Sequence, residues 1–192
     1  MNFDEAFACA DSIAGHYSRL NAEKLWEQAI NCHGLVVEIG VLNGRSASLL
    51  LQAATTTGST VYLVDCWKWM KGHAVETMRV VDAFPEVKKA ILYMYSKDAV
   101  TCIPRQINLL HVDGNHMEEG ITEDCQLWLP HLAPLGVACF HDYDSPDYQG
   151  IKRAVDHYTT GWEDLGVWDT LAIRRKPYER GSTGRSTPHA LP

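Results

Sequence analysis

The chain has 192 residues, 46% of them hydrophobic and 21% charged, with a formal net charge of −7. This length suits one globular domain that buries a substantial core, and the composition is that of an ordinary folded protein. No basic stripe offers to neutralise phosphates, no apolar run approaches bilayer length, and Met1-Asn2-Phe3-Asp4-Glu5 lacks the basic start of a secretory signal, so neither nucleic acid nor membrane is an expected partner and a cytoplasmic location is expected.

In chain order, residues 4–32 read as helical with a break near Asn21. Leu35 to Ile39 is a strand, apolar but for Glu38 and β-branched at Val36, Val37 and Ile39. Ala47, Leu50, Leu51 and Ala54 then recur at helical spacing, which predicts a helix over 45–56. Thr60 to Val64 is the second strand, closed by Asp65. Residues 66–72 read as a loop or lid, followed by a helical piece ending near Pro85. Strands follow at Ile91–Tyr95, Ile107–Val112 and Val137–Phe140. Met117, Ile121, Cys125, Trp128, Leu129 and Leu132 mark an amphipathic helix, stopped between Pro130 and Gly136. Ile151, Ala154, Val155 and Tyr158 mark another helix, and Gly166–Arg174 a final strand or hairpin. Arg174-Arg175-Lys176, the one dense basic run, reads as a solvated strand end.

Alternating strands and helices argue for an α/β fold, Rossmann-like and doubly wound, with a mostly parallel seven-stranded sheet covered by helices on both faces. The expected organisation is a single domain over 1–180, made of N-terminal helices over 1–33 and the Rossmann-like core over 34–175. The tail over 181–192, rich in Gly, Ser, Thr and Pro, is expected to be disordered. Six cysteines, none in a C-x-x-C pair, read as reduced core residues and not as a zinc site or disulfide frame.

The most informative segment is Glu38-Ile39-Gly40-Val41-Leu42-Asn43-Gly44-Arg45-Ser46. A strand that runs into a glycine turn and then a helix is how α/β folds bind nucleotides at the carboxyl edge of the sheet. The spacing is G-x-x-x-G, not the G-x-G-x-x-G of dinucleotide sites, which disfavours a nicotinamide-dependent oxidoreductase. Glu38 is a poor neighbour for phosphates and suits a ligand with a cationic end. Asp65 stands where an acid that grips ribose hydroxyls is expected. The plainer alternative is an ordinary tight strand–helix turn.

A second feature is the pair of strand ends His111-Val112-Asp113 and Phe140-His141-Asp142. In a parallel sheet both point to the ligand-binding edge. Two carboxylates that converge there repel unless a cation or a proton intervenes. An oxygen-rich site suits Mg²⁺, or Mn²⁺ if an imidazole joins. Asp113 as a helix cap and Asp142 as a turn cap are the plainer readings.

The segment Glu38 to Ser46 resembles motif I of the class I S-adenosylmethionine-dependent methyltransferases. With it go Val112-Asp113-Gly114-Asn115-His116, the run Asp124 to Gly136 containing Trp128, Pro130 and Pro134, Phe140-His141-Asp142-Tyr143 and Gly150 to Asp156. In this order they resemble the methyltransferases that include macrolide and aminocoumarin sugar O-methyltransferases and cephalosporin-hydroxylase-like proteins. The resemblance implies that S-adenosylmethionine is the cofactor. It places Glu38, Gly40, Gly44 and Ser46 at the methionine end, Asp65 at the ribose, Cys66 and Trp67 near adenine or ribose, and Ser96 at the adenine. It also places Asp113 beside the cofactor. It makes Asp113 and Asp142 ligands of a divalent cation, with His141 as a further ligand or a neighbour. Asp113, His116 and His141 become the catalytic candidates. The expected partner is a small-molecule or sugar acceptor, with Tyr17, Trp67, Trp69 and His73 as lining residues, and a homo-oligomer stays open. Asn115 departs from the family pattern: it replaces an aspartate that is a candidate base, and an amide cannot take a proton at neutral pH. A protein that binds the cofactor without transferring methyl therefore stays as the alternative, unless His116 or His141 supplies the base.

Overall fold

The computed structural model describes residues 2–68, 71–104 and 106–178. Its strands are β1 (Leu35–Ile39), β2 (Thr60–Asp65), β3 (Lys89–Tyr93), β4 (Ile107–Val112), β5 (Leu132–Phe140), β6 (Glu163–Trp168) and β7 (Leu171–Arg175). Its helices are α1 (Phe3–Asp11), α2 (Arg19–Ala29), α3 (Arg45–Thr57), α4 (Lys71–Asp82), α5 (Ser96–Ala99), α6 (Glu118–Trp128) and α7 (Gln149–Tyr158). The strands form one seven-stranded sheet in the order β3-β2-β1-β4-β5-β7-β6. β1 to β5 run parallel, and β7 is antiparallel to both β5 and β6.

Burial on both faces explains the near-continuous apolar strands. In β1 the side chains alternate: Val36 joins the layer formed with α1, α2 and α3, whereas Leu35, Val37 and Ile39 join the layer of α6 and α7. Leu25, Leu49 and Leu51 anchor the first layer, and Trp128, Phe140 and Leu132 the second, all fully buried. Each such side chain contributes about 1.5–3 kcal/mol of transfer free energy.

The chain order reverses between β1 and β4, and a crevice opens at the carboxyl ends of such a pair. Register fixes what meets there. Glu38 pairs with His111 and Ile39 with Val112, and Val112 pairs in turn with Phe140. The residues that leave the sheet side by side are therefore Gly40, Asp113 and His141. Asp113 N–H donates to Ile39 O (2.8 Å) and His141 N–H to Val112 O (3.0 Å).

Several sequence boundaries move. The N-terminal break lies over 12–18, not at Asn21. Ser18 Oγ accepts from Asn21 N–H (3.2 Å), so Asn21 sits in the first turn of a capped helix. β3 runs two residues earlier than expected, and β5 starts at Leu132, five residues early, around a register shift opposite Ile107 and Leu109. Met117 is the N-cap of α6 and exposed, not part of its apolar face. Cys32, Cys125 and Cys139 are buried, but Cys9 and Cys102 are exposed; all six are free thiols. Arg174 is not solvated: it is buried and donates to Asp164 Oδ1 (2.6 Å). Lys176 Nζ donates to the carbonyls of Leu129, Pro130 and Leu132. The expected tail at 181–192 and Trp69 of the expected lid lie outside the described residues.

Candidate active site

Gly40 has φ +82°, and a Cβ there would lie 2.0 Å from the backbone oxygen of Asp113. Glycine is needed because the ends of β1 and β4 touch. Gly44 has φ +89° and opens α3. The loop between them is held from outside. Asp65 Oδ2 accepts from the N–H groups of Val41 (2.8 Å) and Leu42 (3.0 Å), and Oδ1 accepts from Trp67 N–H (2.8 Å). A carboxylate offers about four acceptor positions, so one remains for a ribose hydroxyl. Trp67 is buried, stacks on Tyr93 with ring centroids 5.3 Å apart, and donates from Nε1 to Leu42 O (2.8 Å). Cys66 beside it is half-buried. His73 hydrogen-bonds Asn43, which ties α4 to the same loop.

Glu38 is completely buried. Its Oε1 lies 2.9 Å from His111 Nδ1, and its Oε2 has no hydrogen-bond partner among the described residues. Burial raises the Glu38 pKa, and the contacts with His111 and with the Ser46 hydroxyl oppose the rise. Ser46, in the first turn of α3, is also buried. An unpaired buried carboxylate oxygen calls for a donor, and an ammonium group supplies one.

At the ends of β4 and β5 four side chains converge. His141 Nδ1 is 3.1 Å from Asp113 Oδ1 and 3.5 Å from Asp142 Oδ2. His116 Nε2 is 3.5 Å from Asp113 Oδ1 and 3.4 Å from Asp142 Oδ2, at ion-pair distance from both. Asp142 is aimed at this point by a left-handed backbone (φ +55°), which aspartate tolerates better than most residues. Donor atoms of Asp113, His141 and Asp142 all lie within 4.8 Å of one another. Ligands about 2.1 Å from an octahedral cation stand about 3 Å apart at adjacent positions, so this donor set fits a hard or borderline divalent ion.

The charges agree. Burial works to raise the Asp113 pKa, but hydrogen bonds to His116 and His141 hold it well below the usual carboxylate range. Burial works to lower the His141 pKa, but Asp113 and Asp142 push it up to about 10. The hydrogen bond to Asp113 raises the His116 pKa, against burial.

Ser96, expected at the adenine, opens α5. Its Oγ donates to Asp124 Oδ1 (2.5 Å), a buried acid on α6. Asn115 turns away from the cluster: its Oδ1 accepts from Met117 N–H (3.0 Å) at the start of α6. Tyr17 does not line an open pocket but is buried against His111 and His141. The sequence reading passed over His111, Asn21 and Asp124. The one signal for His111 is its place two residues before Asp113, after the apolar pair Leu109-Leu110.

A profile of the methyltransferase domain family matches residues 37–143, more than half of the chain. The chain belongs to this family, the class I S-adenosylmethionine-dependent methyltransferases. An uncharacterised protein, y4gI of Sinorhizobium fredii, is 30% identical over 82 residues, which are 39% of this chain and 7% of that protein. The chain thus spans about 7% of the length of this curated relative. Among solved structures, the SAH-bound methyltransferase PaMTH1 of Podospora anserina matches with a TM-score of 0.68 at 15% identity, over 91% of this chain and 87% of that one. CalS11, a TDP-rhamnose 3′-O-methyltransferase of calicheamicin biosynthesis, matches with a TM-score of 0.66 at 15% identity, over 90% of this chain and 79% of that one. At these identities the likeness is one of fold.

Proposed function

We propose that this methyltransferase acts on oxygen. It would move the methyl group of S-adenosylmethionine to a hydroxyl of a small-molecule or sugar acceptor, with Mg²⁺ or a similar divalent cation held by Asp113, His141 and Asp142. The observation that carries this reading is the convergence of those three donors at the ends of β4 and β5, beside the switch point. When bound, the cation supplies a Lewis acid that lowers the acceptor hydroxyl pKa.

The chain's own residues do the rest. Glu38 Oε2, buried and unpaired, suits the cofactor ammonium, and Asp65 has an acceptor position left for a ribose hydroxyl. His116, whose Nε2 faces both aspartates, would in its neutral form be the base that takes the hydroxyl proton as the oxygen–carbon bond forms and the sulfur–carbon bond breaks. Asn115, committed to the start of α6, does not compete for that role. Tyr148 lies against His116 with ring centroids 4.7 Å apart, and Met117 is 63% exposed beside it. This supports an acceptor that presents a hydroxyl on an apolar body.

The test is calorimetric titration of S-adenosylmethionine, followed by product detection across sugar and catechol acceptors, with Mg²⁺ and with chelator. Binding followed by cation-dependent formation of S-adenosylhomocysteine is expected. Binding without turnover on any acceptor favours the non-transferring alternative. No binding to the folded protein refutes the reading.

A further inference from the structure

The N-terminal helices reach the donor cluster, and they do so through polar groups that their packing does not require. Ala6, Ala10, Ala22, Leu25 and Ala29 already seat α1 and α2 in the apolar layer with α3. Yet Asn21 is 1% exposed in the first turn of α2. Its side-chain amide lies 3.2 Å from His141 Nε2 and 2.9 Å from Thr170 Oγ1, in the turn between β6 and β7. Tyr17, also buried, stacks on His141 with centroids 4.7 Å apart and 25° between the planes. Its hydroxyl lies 3.2 Å from His111 Nε2.

One end of this buried amide is without a partner among the described residues in either orientation, so its orientation follows what His141 needs. With its nitrogen toward the ring, Asn21 donates to both His141 Nε2 and Thr170 Oγ1, and Asn21 Oδ1 has no partner. A neutral His141 then carries its hydrogen on Nδ1, directed at Asp113 Oδ1. With the amide reversed, Oδ1 accepts from His141 Nε2–H and from the Thr170 hydroxyl, and Nδ2 takes the place that has no partner among the described residues. In the neutral ring that a cation ligand must be, the lone pair of His141 is then on Nδ1, facing Asp113 and Asp142. Which ring nitrogen binds an ion is set by the hydrogen bond that the other one makes.

We propose that Asn21, steadied by Thr170, is a positioning residue for the cation site: its amide oxygen holds the hydrogen of His141 on Nε2 and so presents Nδ1 as a ligand, while Tyr17 fixes the plane of the ring. The proposal rests on the cation reading above. It makes the N-terminal helices part of the active site.

The experiment compares Mn²⁺ and Mg²⁺ binding by calorimetry in the wild type, Asn21→Leu and Thr170→Val. It adds ¹⁵N spectra of the histidine rings with Mg²⁺ present. For Asn21→Leu the Mn²⁺ affinity is expected to fall about 10- to 100-fold. The Mg²⁺ affinity is expected to fall less, because Mn²⁺ gains more from an imidazole. The wild type is expected to show His141 with its hydrogen on Nε2, and the variant to lose that signature. Thr170→Val keeps the shape of the side chain and is expected to move the same ratio, by less, should Asn21→Leu fail to fold. Folded variants that keep the wild-type Mn²⁺ affinity and Mn²⁺/Mg²⁺ ratio overturn the proposal. Absence of cation binding in the wild type overturns the cation reading itself.

Discussion

Asp124 gives a quantitative test of how this site is built. It lies on α6, 3% exposed, and its Oδ1 accepts from Ser96 Oγ (2.5 Å), joining α6 to the start of α5. Burial pushes its pKa from the ordinary 3.8 up to about 6, against the pull of the Ser96 hydroxyl. The sign follows from where the proton is held more tightly. The folded state keeps this proton to a higher pH than the unfolded chain does. Asp124 therefore costs nothing below the unfolded value, destabilises progressively as pH rises from about 4 to about 6, and costs a constant amount above that. The difference of about 2.2 units, at 1.36 kcal/mol each, amounts to about 3 kcal/mol at pH 8. At pH 4 the same linkage gives only about 0.5 kcal/mol. Asp124→Asn removes the ionisation and keeps an acceptor for Ser96. Urea denaturation should show the variant more stable than wild type by about 3 kcal/mol at pH 8 and nearly equal at pH 4. A stability difference that does not change between these pH values would refute the reasoning. So would a variant less stable at pH 8, which would mean that Asp124 is ionised and paired in the folded protein.

Other consequences are as direct. Asp113→Asn should abolish cation-dependent turnover while leaving S-adenosylmethionine binding within a few-fold, as read by calorimetry. Because partners hold the Asp113 pKa down, the stability it contributes is present above the ordinary carboxylate value and is lost as pH falls through the depressed one. The thermal penalty of Asp113→Asn should accordingly shrink on acidification. Gly40→Ala demands φ +82° of a residue with a Cβ and drives that Cβ to 2.0 Å from Asp113 O. Destabilisation of at least about 1–2 kcal/mol from the backbone alone is expected by calorimetric melting, together with loss of Mn²⁺ binding, because the clash displaces Asp113. Asp65→Ala releases three backbone N–H groups of the glycine loop and its flank. S-adenosylmethionine affinity should fall by more than one hydrogen bond's worth, beyond about tenfold; an unchanged affinity would place the ribose elsewhere.

What was legible in the sequence is what one strand can state by itself. Motif I announced its strand, turn and helix because Leu35 to Ile39 is buried on both faces and Gly40 and Gly44 both adopt positive φ. Asp113, His141 and Asp142 could be named because parallel strands deliver their carboxyl ends to one edge, and the structure brings those three together. What stayed hidden depends on pairing across elements. His111 matters because register sets it opposite Glu38, and register is not written in either strand alone. The Ser96–Asp124 hydrogen bond was not legible because nothing in the Ser96 segment shows that Asp124 will be buried against it. Asn21 looked like a helix breaker because asparagine often ends helices by bonding its own backbone. Here its backbone N–H is capped by Ser18, which leaves the side chain free to reach His141, 120 residues away in sequence. A polar residue that seems out of place in an apolar helix face is thus the better guide to the site's outer supports. Its burial is tolerated only because a partner waits for it, and in this fold the partner belongs to the donor cluster.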